Sequence, residues 1–154
     1  MPINCLISTE LNLAYARWSG CVDLDEFREM FAAYLEDKNY LLGRPELCDF
    51  SEFTDMDVNF QQIWSAVSMV NTPEKLSACK TQCVIYAPDD TAFGLARMYQ
   101  SLAEHEGGVQ VTVCREEAEA LAALNLVYST IEEMRSRGNF QQLSPILDRV
   151  SRPC

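Results

Sequence analysis

Carboxylates are the residues of this chain best placed to do chemistry. Asp49, Ser51, Asp55 and Asp57 follow one apolar run, and Asp89, Asp90 and Thr91 follow another. If those runs are neighbouring parallel strands, their carboxyl ends share a rim, which is where open parallel sheets gather function. Such a rim suits Mg²⁺, which takes few carboxylates and keeps several waters. The competing role is local, with Asp89 or Asp90 capping the helix that follows and Asp57 capping the helix after it in its own loop. Capping accounts for these residues without a ligand, so no metal and no cofactor is assigned.

Nucleophilic catalysis has less to build on. His105 is the only histidine, and it stands between Glu104 and Glu106 near a helix C-terminus, where the helix dipole favours a cation. No Gly-x-Ser-x-Gly elbow, phosphate-binding loop or dinucleotide fingerprint occurs. Cys5, Cys48, Cys83 and Cys114 fall on apolar runs, as small buried hydrophobes do. Cys79 and Cys83 flank Lys80, which lowers a thiol pKa where the thiol is exposed, and Cys154 ends a polar tail. A response-regulator receiver needs an acidic pair after its first strand and a lysine after its last. Here those places hold Thr9-Glu10 and Cys114-Arg115. Trp64, Met69, Met98 and Tyr99 sit at helix positions able to bury a greasy ligand, although core packing is the better explanation for them.

The elements that would position these groups follow from hydrophobic periodicity. Cys5–Ser8 and Asn12–Trp18 read as a hairpin, stopped at Ser19-Gly20. Asp23 and Glu26 have capping-box spacing ahead of a helix to Asp37. Glu46–Ser51 reads as a third strand, leading through an acidic loop into a helix carrying Phe60, Ile63, Trp64, Val67 and Val70. Pro73 opens a short helical turn. Gln82–Ala87 is continuously apolar, as expected of a strand buried on both faces. A helix to about His105, a strand with Val109, Val111 and Val113, and an Ala/Glu-rich helix from Arg115 to Leu124 complete the pattern. The expected fold class is α/β, a mixed and mostly parallel five-stranded sheet in the order ββαβαβαβα. Residues 1–125 form the domain. Residues 126–154 form a C-terminal helical extension, with a helix over Tyr128–Arg137 and a stop at Gly138, packed on the domain or on a second subunit as a homodimer contact.

Composition narrows the partners. The 154 residues carry 23 acidic and 12 basic side chains, a net charge of −11. That balance disfavours nucleic acid, which needs clustered Lys/Arg, and anionic membrane surfaces. The segment Met1–Phe60 holds twelve acidic and four basic residues, so most of the negative field lies there. No apolar run reaches the roughly 20 residues needed to span a bilayer, and no membrane insertion is expected. The start of the chain lacks the pattern of a secretory signal. Seven irregularly spaced cysteines point to a reduced, cytoplasmic protein.

Three stretches give the order of elements a family likeness. Arg17-Trp18-Ser19-Gly20-Cys21-Val22-Asp23 looks like a strand–glycine–helix start, and Cys48-Asp49-Phe50-Ser51-Glu52-Phe53 like an Asp-Leu-Ser strand end. Pro88 to Tyr99 is similar to a segment of small bacterial proteins of the same type. Over roughly Ile3–Leu124 the chain resembles the STAS, or SpoIIAA-like, group, which contains anti-sigma-factor antagonists and is related by fold to CRAL-TRIO lipid-binding domains. Antagonists of that group carry an Asp-Ser-Ser-Gly phosphoswitch where the second helix begins. The resemblance sets Asp57-Val58-Asn59-Phe60 there, with the aspartate present and no serine to phosphorylate.

The resemblance implies a non-enzymatic, regulatory interaction domain for a protein partner. Asp57 and Asn59 would contact that partner and Ser51 would shape the strand-to-loop turn, with Asp55, Asp89, Asp90 and Thr91 completing the rim. The alternative is a module binding a small apolar ligand or lipid between helices and sheet. A hydrolase or transferase stands third. A carrier predicts a closed apolar cavity of about a few hundred Å³, and an interface predicts exposed apolar residues beside Asp57–Gln61.

Overall fold

The computed structural model describes residues 2–57, 59–70 and 80–143. The elements, in chain order, are β1 (Ile3–Ser8), β2 (Leu13–Asp23), α1 (Leu24–Glu36), β3 (Glu46–Asp57), α2 (Phe60–Val70) and β4 (Thr81–Tyr86). After these come α3 (Asp90–Glu106), β5 (Val109–Cys114), α4 (Glu117–Ala123), α5 (Ile131–Arg137) and β6 (Gln141–Gln142). The expected turn at Pro73, the segment after Ser144, Val58, Cys79 and Cys154 lie outside the described residues.

The sheet order is β5-β4-β3-β2-β1-β6. β1 and β2 form the expected antiparallel hairpin, and β2 to β5 run parallel. Because the parallel strands are neighbours in chain order, right-handed crossovers bring α1, α2 and α3 to the same face. One core confirms this, joining Phe27, Met30 and Phe31 of α1, Ala66, Val67 and Val70 of α2, and Ala92, Ala96 and Ala103 of α3 over that face. The other face is covered by α4 and α5, with Leu121 of α4 and Ile131 and Met134 of α5 packed on Tyr15, Leu47 and Val84. The result is an α/β domain of three layers with a sheet of six strands, one more than the sequence pattern contained. The sixth is too short to leave a pattern. It is two exposed glutamines pairing Gln141 with Ile7 and Gln142 with Leu6.

Residues 126–143 therefore pack on their own sheet. Ser8 Oγ donates to the Gly138 carbonyl and accepts from the Leu11 amide at 3.0 Å, tying the hairpin turn to the end of α5. A Cβ on Gly138 would stand 2.6 Å from Leu11 Cδ1 and 2.7 Å from the Met134 carbonyl, so glycine is required there by close approach.

Two strands run further than expected. Ser19-Gly20 does not stop β2. Gly20 takes φ +66° and the pairing with β3 shifts register on either side of it, after which the strand continues to Asp23. The stretch Glu52–Asp57 is correspondingly strand, with Ser19 opposite Glu52, Val22 opposite Met56 and Asp23 opposite Asp57. Its Asp and Glu content reads as loop because those residues are weak strand formers, but the β2 backbone supplies the pairing that propensity does not. β1 pairs only to Trp18 and β4 only to Asp49, so this extension is a two-stranded ribbon leading to the starts of α1 and α2.

The cysteines divide. Cys5, Cys48, Cys83 and Cys114 are free thiols on strands, three of them buried and Cys48 half-buried. Cys21 is disulfide-bonded, against the expectation of a fully reduced chain. Thiol titration in denaturant without reductant is expected to find five groups, since the bond takes two of the seven cysteines. Reduction should bring the count to seven, and seven before reduction would show that the bond does not form.

Candidate functional site

Two neighbouring rows of the sheet carry small side chains beneath the helices. Cys5, Ala16 and Cys48 are directly opposite one another across β1, β2 and β3. One row on, Ala14 and Cys83 flank Glu46. Buried sheets are ordinarily paved with Val, Ile and Leu. Where the floor is alanine and cysteine, the helices above leave a void that close packing would otherwise fill. That void is a cavity of about 110 Å³. A water needs roughly 10–15 Å³ on this measure, and an apolar cavity of ~150 Å³ is known to stay dry and admit benzene. The space suits a small ring or short chain.

Its walls are apolar except at Glu46. α1 contributes Phe27, Met30, Phe31 and Tyr34, α2 contributes Ile63, Ala66 and Val70, and α3 contributes Leu95, Ala96 and Tyr99. Trp18, Phe50, Phe53 and Met56 close the side next to the ribbon. The indole of Trp18 lies 5.1 Å from the ring of Phe50 and 5.8 Å from that of Phe27, centroid to centroid. The Trp18 Nε1–H is buried with no acceptor among the described residues.

Three ionisable groups of the wall, Cys5, Tyr34 and Tyr99, are held protonated. Burial, reinforced by the charges of Glu46 and Asp37, pushes the Cys5 thiol up to about 12. Burial first, then Glu46, raises the Tyr34 hydroxyl, and burial with Cys83 and Glu46 raises that of Tyr99. The Cys5 thiol and these phenols act as hydrophobes and neutral donors, not as nucleophiles. Among the described residues, no lysine, arginine or histidine lines the cavity. His105 lies elsewhere, with its ring 6.2 Å from that of Trp64.

The opposite face carries a polar cluster at Asp49, which is 1% exposed. Its Oδ2 accepts from Tyr15 Oη at 2.5 Å and from Arg17 Nε at 3.4 Å, and its Oδ1 accepts from the Ser51 amide at 2.9 Å. Arg17 also reaches Glu52 at 3.7 Å, and the guanidinium of Arg135 stands 5.6 Å from the centre of the Tyr15 ring. Burial, with the Asp49 hydrogen bond second, holds the Tyr15 hydroxyl above its usual range. The cluster locks β2, β3 and α5 together.

The residues expected on one rim are dispersed. Ser51 is exposed, and its amide belongs to the Asp49 cluster. Asp55 and Asp57 are exposed on the ribbon, and at a strand rise of about 3.3 Å Asp57 lies roughly 25 Å along β3 from Asp49. Asn59, not Asp57, caps α2, with its Oδ1 accepting from the Gln62 amide and its own amide donating to Gln62 Oε1, each at 2.9 Å. Asp89 caps α3 by accepting from the Ala92 amide at 2.8 Å. Asp90 pairs with Arg115 at 2.7 Å on the surface, and Thr91 is exposed in the first turn. Among the described residues, no group of three or more His, Cys, Asp or Glu side chains could hold a metal ion.

Of the four greasy helix positions, Tyr99 lines the cavity, while Trp64 and Met98 are 38% and 40% exposed. The small floor residues and Trp18 were missed as site residues. Their signal was the run of alanine and cysteine at alternate strand positions, which reads as ordinary core until the helices are placed above it. The fold and cavity define a three-layer α/β domain with an apolar chamber between its sheet and one helix layer. No family model and no curated protein matches the chain. No helix among the described residues is long and apolar enough to cross a membrane.

Proposed function

We propose that this protein is a binding module for a small apolar molecule held between the sheet and helices α1, α2 and α3. The observation that carries the reading is the cavity of about 110 Å³, walled almost wholly by carbon and sulfur and floored by small side chains on adjacent strands. Pockets of this kind serve binding, with few polar groups to orient the guest. The module is non-enzymatic in this reading, which the protonated state of its Cys5 thiol and its Tyr34 and Tyr99 phenols supports.

Titration with toluene, read by fluorescence of Trp18 in a Trp64→Phe background, is expected to saturate. Ala96→Leu adds bulk to the wall and is expected to weaken binding by about tenfold or more, a loss of roughly 1.4 kcal/mol. Its thermal unfolding curve checks that it folds. A wild-type protein that gives no saturation, or an Ala96→Leu variant that binds toluene as well, counts against the cavity as the site. Native mass spectrometry of gently purified protein is the companion measurement, and a mass lost on denaturation would identify the resident guest.

A second reading has one observation behind it. Trp64 is 38% exposed on α2, one turn beyond Gln61, where a regulatory protein partner would dock beside Asp57 and Asn59. An aromatic anchor with a polar surround is the usual composition of a contact centre. Trp64→Ala would then abolish capture of that partner and leave toluene binding intact.

A further inference from the structure

Resting on the cavity reading, we propose that the guest is a single aromatic ring bearing at most a small substituent, held in preference to a saturated ring or an acyl chain. Volume sets the first limit. At about 110 Å³ the cavity is smaller than the roughly few hundred Å³ expected of a carrier. Protein interiors fill about three-quarters of the space they enclose, which leaves about 80 Å³ for the body of a guest. That is the size of benzene. An acyl chain long enough to anchor in a bilayer needs several times as much, so a lipid chain would overfill the space.

The wall sets the second limit. More than half of the residues lining the cavity carry an aromatic ring or a sulfur. Cys5, Cys48 and Cys83 lie in the floor, and Met30 of α1 and Met56 of β3 stand in the walls. A sulfur at the edge of a ring, or a second ring placed offset or edge-to-face, each strengthens an aromatic contact by about two- to tenfold beyond burial. A saturated body of equal size gains burial and dispersion from the same wall, and neither of these additions. The wall rings are oriented before a guest arrives. Phe27 and Phe31 have centroids 5.9 Å apart with planes at 9°, and Phe50 and Phe53 have centroids 4.9 Å apart at 28°. Such pairs hold one another in place, so little side-chain freedom is lost on binding.

Benzene, cyclopentane and n-octane separate these requirements, since cyclopentane is close to benzene in volume but has no π system, and n-octane is a chain. Binding to the wild-type protein is followed by the methionine ε-methyl resonances, of which those of Met30 and Met56 are expected to move. Each affinity is divided by the probe's water-to-alkane partition coefficient, which removes the burial that any apolar body gains. On that scale benzene is expected to exceed each of the others by about tenfold. Met30→Leu keeps the apolar bulk, removes the sulfur, and should cut the preference for benzene over cyclopentane by about threefold. If that variant does not fold, Met56→Leu makes the same change at a half-buried position. Equal corrected affinities of benzene and cyclopentane would overturn aromatic selection and leave the cavity reading standing. Binding of n-octane as well as benzene would overturn the size limit. A preference unchanged in the folded variant would overturn the part given to sulfur. Binding of none of the three would overturn both this inference and the cavity reading.

Discussion

Asp49→Ala is expected to lower the unfolding free energy by about 3 kcal/mol and the thermal midpoint by roughly 6–12 °C for a chain of this size. The carboxylate accepts three hydrogen bonds while 1% exposed, from Tyr15, Arg17 and the Ser51 amide. Removing it leaves the Tyr15 O–H without its acceptor, on a residue with no solvent exposure, and leaves Arg17 with Glu52 as its anionic partner among the described residues. The loss comes mainly from donors left without acceptors, so the effects of neighbouring substitutions do not add. Tyr15→Phe removes one of those donors, and the Tyr15→Phe/Asp49→Ala pair should cost clearly less than the sum of the single changes. Urea unfolding of the four proteins measures the coupling. A cost below 1 kcal/mol for Asp49→Ala alone would show that the cluster is no lock.

Stability should also collapse in alkali. Burial, before any neighbouring charge, raises the Tyr15, Tyr34 and Tyr99 hydroxyls above their usual value of 10.0 and the Cys5 thiol from 9.0 to about 12. Each group has a higher pKa folded than unfolded, so its stabilisation is fully present below the unfolded value and is lost as the pH climbs toward the folded one. Above pH 9 for Cys5, and above pH 10 for the tyrosines, the unfolded chain sheds protons that the folded chain keeps. Each such proton costs up to about 1.4 kcal/mol per pH unit. The urea midpoint is therefore expected to hold steady from pH 7 to 8.5 and to fall steeply beyond pH 10. Of the six tyrosines, the buried ones should ionise only together with loss of the circular dichroism signal. Tyrosinate absorbance that reaches its full value while the fold is intact would contradict that burial. Cys5→Ala should flatten the early part of the fall, between pH 9 and 12.

The two effects originate on opposite faces of one sheet. Along β2, Leu13 and Tyr15 face the layer made by α4 and α5, while Ala14, Ala16 and Trp18 face α1, α2 and α3. The alternation was legible as a strand, yet with both faces buried it carried no sign of which face would be close-packed and which hollow. The capping box of Asp23 and Glu26 was legible because it spans three residues, and it stands as read, with Glu26 N donating to Asp23 Oδ1 at 2.8 Å. Asp57 was a reasonable cap for α2 on residue type. Asn59 took the place because Asp57 is still held in the ribbon by its pairing with Asp23.

What the sequence determined alone is local and periodic: the order of the first five strands and the helices between them, the hairpin, the helix cap at Asp23 and another at Asp89 or Asp90, and a strongly acidic charge balance. These depend on side chains a few residues apart and on totals over the chain. The tertiary structure decided the rest. It stretched β2 and β3 into a ribbon that carries Asp55 and Asp57 away from Asp89 and Asp90, folded residues 126–143 onto the second face, and set alanines and cysteines from four strands side by side. A void is a relation among residues distant in sequence, each ordinary by itself. It exists only once helix and sheet are held apart by the larger side chains around it.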